Sequence, residues 1–119
     1  MALTPKRRTR VVFVGSGRFG VPGLAFLAAE ASRPDGSIDI VGVVTAPPRP
    51  AGRHRRPVAT PIALLAESLG VGPVLTPDRL RHPDAVADVT AGAPDLLVVA
   101  DYGQIVPAAL LDLANGALN

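Results

Sequence analysis

The chain has 119 residues, 48% of them hydrophobic, with no cysteine and a net charge of +2. This length predicts one domain with a core of its own, and the apolar fraction excludes a disordered tail. The absence of cysteine excludes disulfides, thiolate catalysis and cysteine-ligated zinc. No apolar run approaches the roughly 18 residues of a membrane span, so we expect a cytoplasmic protein without a membrane partner.

The positive charge is concentrated in two segments. Residues 1–29 contain five basic residues and no acid, and residues 45–61 contain four arginines and no acid. Residues 62–119 instead carry two arginines against seven acids. Local positive charge indicates a partner more than a fold. We expect residues 1–9 to form a flexible, solvated basic lead-in and residues 10–119 to form the folded part.

Apolar runs and helical spacing predict alternating strands and helices after this lead-in. The predicted strands are short apolar runs at residues 11–14, 38–44, 74–75 and 96–100. The predicted helices occupy residues 21–31, 60–69, 83–90 and 107–114. Thr60 and His82 are expected to cap the starts of the second and third helices, and Gly70 the end of the second.

Two segments stand outside this alternation. Residues 45–58 hold four prolines and four arginines, so we expect no regular structure there. Residues 116–119 have the character of a further strand, with no closing helix after it. We therefore expect the chain to be the front portion of a larger protein.

The order of elements predicts an α/β fold. Continuous apolar strands separated by helices are typical of a parallel sheet that is covered on both faces. Right-handed crossovers then give a Rossmann-like sheet of about four strands in the order 3-2-1-4. Ligands of such sheets bind beyond the carboxyl ends of the strands. We therefore expect a site to be built from residues 15–20, 45–57, 76–81 and 101–106.

The first of these segments matches the dinucleotide pattern G-x-G-x-x-G at residues 15–20. It follows a strand and precedes a helix, as a phosphate-binding loop should. The acid expected at the end of the second strand is missing, because Thr45 and Ala46 stand there. Asp39 has a suitable sequence distance but lies near the start of that strand. Dinucleotide binding and a tight turn without a ligand both remain open.

Four segments resemble motifs of the methionyl-tRNA formyltransferase family. Residues 12–22 resemble its opening V-F-M-G-T-P-D-F-A-V-P, and residues 43–53 resemble its V-V-T-Q-P-D-R-P-A-G-R. Residues 100–107 resemble its A-Y-G-Q-I-L-P, and residues 116–119 resemble the start of its G-x-x-N-x-H-x-S-L-L-P. The departures from the family are Gly17, Arg18, Pro48 and Asp101.

The resemblance implies formyl transfer from 10-formyltetrahydrofolate to the amino group of methionyl-initiator-tRNA, with no metal. It implies the formyltransferase fold, a C-terminal β-barrel domain beyond this chain and a monomeric full-length protein. The family's catalytic residues are an Asn, a His and an Asp, of which only Asn119 matches within this chain. The chain alone is therefore expected to be inactive. An ordinary terminal residue is the alternative for Asn119.

The arginine-rich segment suits contact with phosphate, because arginine offers bidentate donors and proline limits the cost of ordering. The resemblance implies that it engages the acceptor arm of tRNA, with Arg53 foremost and Arg49, Arg55 and Arg56 in support. The alternative is a solvated basic loop.

The resemblance likewise suggests a folate pocket after the last predicted buried strand. Gly103 permits close approach or a positive φ, and the other candidate residues are Tyr102, Gln104 and Ile105. The alternative is a plain strand-to-helix turn. Three functions other than methionyl-tRNA formylation also stay open: an NAD(P)-binding Rossmann module, a non-catalytic RNA-binding domain and a sugar formyltransferase.

Overall fold

The computed structural model describes residues 7–113 and 116–118. Within these residues the chain forms seven strands and four α-helices. The strands are β1 (Thr9–Val14), β2 (Ile38–Val44), β3 (Arg49–Ala51), β4 (Arg56–Val58), β5 (Val74–Leu75), β6 (Leu96–Val99) and β7 (Gly116–Leu118). The helices are α1 (Val21–Ser32), α2 (Pro61–Leu69), α3 (Pro83–Ala91) and α4 (Ala108–Leu113). None of the helices in the described ranges is long and apolar enough to cross a membrane.

Five strands form one parallel sheet in the order β5-β2-β1-β6-β7. The predicted order 3-2-1-4 is confirmed for its first four strands. The fifth, β7, pairs outside β6 in the segment where a further strand was expected. The central strand β1 begins at Thr9, two residues before the predicted start, because its pairing with β2 extends to Ile38.

Both faces of the sheet are covered, as the continuous apolar strands predicted. Successive residues of β1 point to opposite faces, so Phe13 packs with α1 and α2 while Val12 and Val14 pack with α3 and α4. Phe13 and Val12 are 0% and 1% exposed, which shows that each face carries a closed core. The sheet is therefore a fixed support for the segments that follow its strands.

The predicted helix caps are confirmed. The Thr60 hydroxyl accepts from the N–H of Ala63 at the start of α2, and Gly70 ends that helix with a φ of 68°. The imidazole of His82 accepts from the N–H of Asp84 at the start of α3. These local signals fix where both helices begin because they satisfy amides that the helix itself leaves unpaired.

The expectation that residues 45–58 lack regular structure is wrong. Strands β3 and β4 form an antiparallel hairpin in which Pro50 lies opposite Pro57. Proline has no N–H to give, so this pair must occupy a position where the ladder needs no bond between the two residues. The flanking pairs carry the bonds instead, and the hairpin forms despite its prolines. Gly52 and Arg55 complete the turn with positive φ values of 73° and 51°.

The basic lead-in is partly engaged by the fold. The Arg8 guanidinium donates to the carbonyls of Ala31 and Arg33 at the end of α1 (2.9 and 2.6 Å). Arg10 donates to the carbonyl of Gly92 after α3 (2.7 Å). A solvated lead-in was expected over residues 1–9, and this expectation is wrong for Arg8, whereas Arg10 lies in the part that was expected to fold. Unpaired carbonyls at helix C-termini attract cationic donors, which explains the difference.

Candidate functional site

The segments that follow the parallel strands touch one another at the carboxyl edge of the sheet. The backbone N–H of Ser16, after β1, donates to the carbonyl of Asp101, after β6 (3.0 Å). The Ser16 hydroxyl accepts from the N–H of Ala46, after β2 (2.9 Å). The Gln104 side chain bonds to the backbone of residues 78–80, after β5. All four segments predicted to hold a ligand therefore meet in one edge region, which we call the crevice edge.

The glycine-rich loop packs directly against the end of β6. A Cβ at Gly15 would lie 2.3 Å from the carbonyl oxygen of Ala100, so only glycine permits this close approach. A Cβ at Gly17 would lie 1.8 Å from the Asp101 carboxylate. Asp101 itself adopts a left-handed backbone with a φ of 58°. The loop is therefore a tight turn held against β6.

The loop amides that a phosphate would need are already bonded within the protein. The N–H groups of Ser16 and Gly17 donate to the carbonyl of Asp101 (3.0 and 3.2 Å). The N–H of Gly15 donates to the carbonyl of Val44 (2.9 Å). The Asp101 carboxylate beside Gly17 would also repel a pyrophosphate. This geometry favours a tight turn without a ligand over a dinucleotide cradle.

The acid that would bind a nucleotide ribose is also absent from the crevice edge. Thr45 and Ala46 follow β2, and neither residue has a carboxylate that could accept hydrogen bonds from the ribose hydroxyls. Asp39 lies at the opposite end of β2, where its carboxylate pairs with Arg8 at 3.2 Å. Asp39 therefore has a structural partner far from the ligand side of the sheet.

Three hydroxyls form a chain at the base of the hairpin, and the sequence did not reveal it. Thr45 is fully buried, and its Oγ1 contacts the Oγ of Ser16 (3.4 Å) and the Oγ1 of Thr60 (2.5 Å). Ser16 also accepts from the N–H of Ala46, and Thr60 from the N–H of Ala63. The available signal was a threonine that continues an apolar strand, since such a residue is buried and needs polar partners.

The hairpin carries the predicted tRNA-binding arginines at the surface. All four are exposed: Arg49, Arg53, Arg55 and Arg56. Within the described part of the chain, none of them forms a salt bridge or a side-chain hydrogen bond. Because β3 and β4 pair Arg49 with Val58 and Ala51 with Arg56, the first and last arginines lie on one face of the hairpin. The other two lie in its turn. The hairpin therefore carries four exposed arginines on a segment whose base lies at the crevice edge.

Two of the predicted folate-binding residues have their side chains turned into the protein. Gln104 accepts from the N–H of Leu80 (2.8 Å) and donates to the carbonyl of Asp78 (2.9 Å), so its amide ties the segment after β6 to that after β5. Tyr102 packs against the core, where its hydroxyl oxygen is buried with no hydrogen-bond partner in the described residues. Burial raises the pKa of this hydroxyl.

The other two residues of this segment are open to solvent. Nothing lies within 4 Å of a Cβ placed on Gly103, and the side chain of Ile105 is 91% exposed. The positive φ considered for Gly103 occurs instead at Asp101. Open backbone and one exposed apolar side chain are features that a flat aromatic ligand could use. Asn119, the predicted catalytic residue, lies outside the described residues.

Comparison with known proteins defines the family. Residues 9–119 match the sequence model described as formyl transferase. The chain is 53% identical over 97 residues to a methionyl-tRNA formyltransferase of Roseiflexus sp. (strain RS-1), which covers 82% of this chain and 28% of that protein. It is 43% identical over 112 residues to one of Geobacillus thermodenitrificans (strain NG80-2), which covers 93% of this chain and 33% of that protein.

Solved structures of phosphoribosylglycinamide formyltransferases share this fold. A phosphoribosylglycinamide formyltransferase from Anaplasma phagocytophilum superposes with a TM-score of 0.60 at 21% identity, covering 89% of this chain and 45% of that one. One from Bacillus halodurans superposes with a TM-score of 0.59 at 18% identity, covering 88% and 51%. At these identities the likeness concerns the fold alone.

The α/β sheet and its crevice edge therefore define a formyltransferase-type fold. With the family match extending over residues 9–119, the chain belongs to the formyl transferase family. It spans about a third of the length of the curated methionyl-tRNA formyltransferases that it matches.

Proposed function

We propose that this chain forms the N-terminal part of an enzyme that transfers the formyl group of 10-formyltetrahydrofolate to methionyl-initiator-tRNA. The observation that carries the proposal is the exposed arginine hairpin beside the crevice edge, where Ser16 joins its base to the glycine-rich loop. The motifs of residues 43–53 and 100–107 and the names of the similar proteins support the same substrate pair. A cytoplasmic, monomeric protein belongs to this proposal.

The chemistry is acyl transfer to an amine. The neutral amino group of the methionyl ester attacks the formyl carbon, and the bond from that carbon to N10 of the folate breaks. The amine loses a proton and N10 gains one, so the products are the formamide and tetrahydrofolate. Negative charge collects on the formyl oxygen in between, and a fixed donor there lowers the barrier. We assign this donor role to the carboxamide of Asn119, which gives an N–H without titrating.

The hairpin arginines would bind the phosphates of the acceptor arm. Proteins recognise single-stranded RNA ends through the charge of the phosphate backbone and through local shape. Four guanidinium groups in one hairpin, with no acid between them, are suited to bind such phosphates. Arg53, next to Gly52 in the turn, is the first candidate, with Arg49, Arg55 and Arg56 in support. Their lack of partners among the described residues supports a role toward an external anion.

The segment after β6 would hold the folate. Its open Gly103 backbone and the exposed Ile105 suit a flat pterin, with the carbonyls and N–H groups as polar partners and the isoleucine as an apolar wall. Gln104 and Tyr102 would act indirectly, because their side chains fix the segment against the loop after β5 and against the core.

The direct test is a formyl transfer assay on the full-length gene product with 10-formyltetrahydrofolate. Methionyl-initiator-tRNA, methionyl-elongator-tRNA and phosphoribosylglycinamide are compared as acceptors. We expect formyl-methionine on initiator tRNA and no activity from residues 1–119 alone. Transfer to phosphoribosylglycinamide alone would contradict the proposal, as would tRNA binding without formylation.

A titration with NADPH separates the proposal from the Rossmann cofactor alternative. Because the amides of Ser16 and Gly17 are bonded to Asp101 and its carboxylate covers the loop, we expect no saturable binding at micromolar concentration. Saturable binding in that range would favour the NAD(P) module instead.

A further inference from the structure

The hydroxyl chain at the base of the hairpin links three separate segments of the backbone. The Thr45 hydroxyl contacts the Oγ of Ser16 at 3.4 Å, and it shares a shorter hydrogen bond with the Thr60 hydroxyl in which either oxygen can be the donor. Ser16 also accepts from the N–H of Ala46, and Thr60 accepts from the N–H of Ala63. Thr45 is the centre of this sequence of bonds, because its hydroxyl contacts both of the other hydroxyls.

The hydroxyl chain of Ser16, Thr45 and Thr60 ties together both ends of the arginine-rich segment. Thr45 and Ala46 form its start and bond to Ser16 of the glycine-rich loop, and Thr45 also bonds to Thr60 at its end. Within the described part of the chain, no hydrogen bond or salt bridge joins residues 47–58 to the rest of the protein. The direction in which the hairpin leaves the sheet is therefore set at its two ends.

We propose that the Thr45 hydroxyl is a positioning group for tRNA, which fixes the orientation of the arginine hairpin relative to the crevice edge. This inference rests on the proposed function. Thr45 is 0% exposed, so it touches no substrate and acts only through the hairpin. Loss of the hydroxyl would keep the four arginines but would let the hairpin sample a wider range of orientations. Binding of tRNA would then have to order the hairpin, which costs binding free energy.

The test compares Thr45→Val with Thr45→Ser in the full-length gene product. Valine keeps the shape and removes the hydroxyl, whereas serine keeps the hydroxyl. We expect Thr45→Val to raise the KM for initiator tRNA by roughly threefold to tenfold, with kcat and the KM for 10-formyltetrahydrofolate within about twofold. Thr45→Ser should restore the tRNA KM to within about twofold of the unmodified protein.

Hydrogen exchange gives a readout that does not depend on activity. Amides of residues 47–58 should exchange faster in Thr45→Val than in Thr45→Ser, while those of the central strand at residues 11–14 stay unchanged. Val89→Ala is the matched control, because it removes buried methyl groups in α3 without touching the hydroxyl chain. It should lower stability and leave the tRNA KM unchanged.

Each outcome decides between the two proposals. An active unmodified enzyme with an unchanged tRNA KM in Thr45→Val overturns the positioning role alone. An unmodified protein without methionyl-tRNA formylation overturns the proposed function. Unchanged hydrogen exchange of residues 47–58 in Thr45→Val would then also overturn the effect of the Thr45 hydroxyl on the hairpin. If Thr45→Val does not fold, Ser16→Ala removes the outer end of the chain, and an unchanged tRNA KM in that variant overturns the inference.

Discussion

The two basic regions of the chain are both rich in arginine but have opposite surroundings. At the amino end of the sheet, Arg8 donates to backbone carbonyls at the end of α1 and at the start of β2, and Arg10 donates to one after α3, at 2.6 to 3.0 Å. In the hairpin, the side chains of Arg49, Arg53, Arg55 and Arg56 have no such acceptor in the described residues and are exposed. Arg8 and Arg10 therefore stabilise the fold, whereas the hairpin arginines are available to a partner.

The difference shows what a run of arginines can and cannot indicate. Helix C-termini leave carbonyls unpaired, and a guanidinium that reaches them is neutralised by the protein itself. A hairpin has its backbone bonds within its own ladder, so its arginines find no such acceptor. Charge in the sequence identifies both regions, but only the neighbouring backbone separates a structural arginine from a binding one.

The largest expected effect comes from replacing the four hairpin arginines with alanine in the full-length gene product. The KM for initiator tRNA should rise by between roughly tenfold and roughly 100-fold, because each lost guanidinium removes a phosphate contact. The free energy of unfolding should change by less than about 0.5 kcal/mol, since the side chains are exposed. Steady-state kinetics and urea denaturation check the two results. An unchanged tRNA KM would remove the hairpin from the proposed function.

The opposite pattern is expected at the amino end. Arg10→Ala removes guanidinium bonds to the carbonyls of Gly92 and Ala93, so the free energy of unfolding should fall by about 1.5 to 3 kcal/mol. The tRNA KM should stay the same. Arg81→Ala is a control, because its side chain is exposed and bonds to no other described residue. Equal stability of Arg10→Ala and Arg81→Ala would contradict the structural role.

Lysine substitutions sharpen the comparison at constant charge. Four lysines in the hairpin should leave the tRNA KM within about threefold, because phosphate binding of this kind depends mainly on charge. Arg10→Lys should still cost about 1 kcal/mol of stability, because an ammonium lacks the planar fork that bonds to two carbonyls. Thermal or urea denaturation measures the stability of these variants, and steady-state kinetics measures their KM for tRNA. A large loss of tRNA affinity in the lysine hairpin would indicate that guanidinium shape matters there.

The smallest expected effect depends on pH. The backbone N–H of Arg10 donates to the Asp95 carboxylate at 2.9 Å and thereby lowers the pKa of that carboxyl. The nearby positive charges of Arg7 and Arg10 lower this pKa as well. The charged carboxylate therefore stabilises the fold above the ordinary pKa of about 3.9, and this contribution is lost as pH falls through the lowered pKa. Asp95→Asn should be less stable near about pH 7 and match the unmodified protein near about pH 2. A pH-independent difference would contradict this linkage.

Much of the fold could be predicted because its signals are local. The β-branched run at residues 11–14 and the caps Thr60 and Gly70 indicate their elements by themselves, and right-handed crossovers then order the strands. The hairpin was missed because Pro50 and Pro57 are tolerated only where the ladder does not use their missing N–H groups, and that depends on the strand register, which composition does not reveal.

The sequence predicted which segments form the candidate site, but it predicted less well how their side chains are oriented. Parallel topology places the four segments at one edge, but it does not say that Gln104 turns toward Asp78 and Leu80. Nor does it say that Asp101 takes the left-handed backbone, since few residues other than glycine do so. Such features depend on which backbone groups are left unpaired nearby, and these are known only once the chain is folded.

The central claim is that the hairpin, and not the amino end, binds RNA phosphates. The most direct test measures initiator tRNA affinity between about 0.05 M and about 0.3 M salt for the unmodified full-length gene product, the four-alanine hairpin variant and Arg10→Ala. We expect the slope of log affinity against log salt to become shallower by about three in the hairpin variant and to stay unchanged in Arg10→Ala. Equal slopes for all three proteins, or a shallower slope only in Arg10→Ala, would contradict the account.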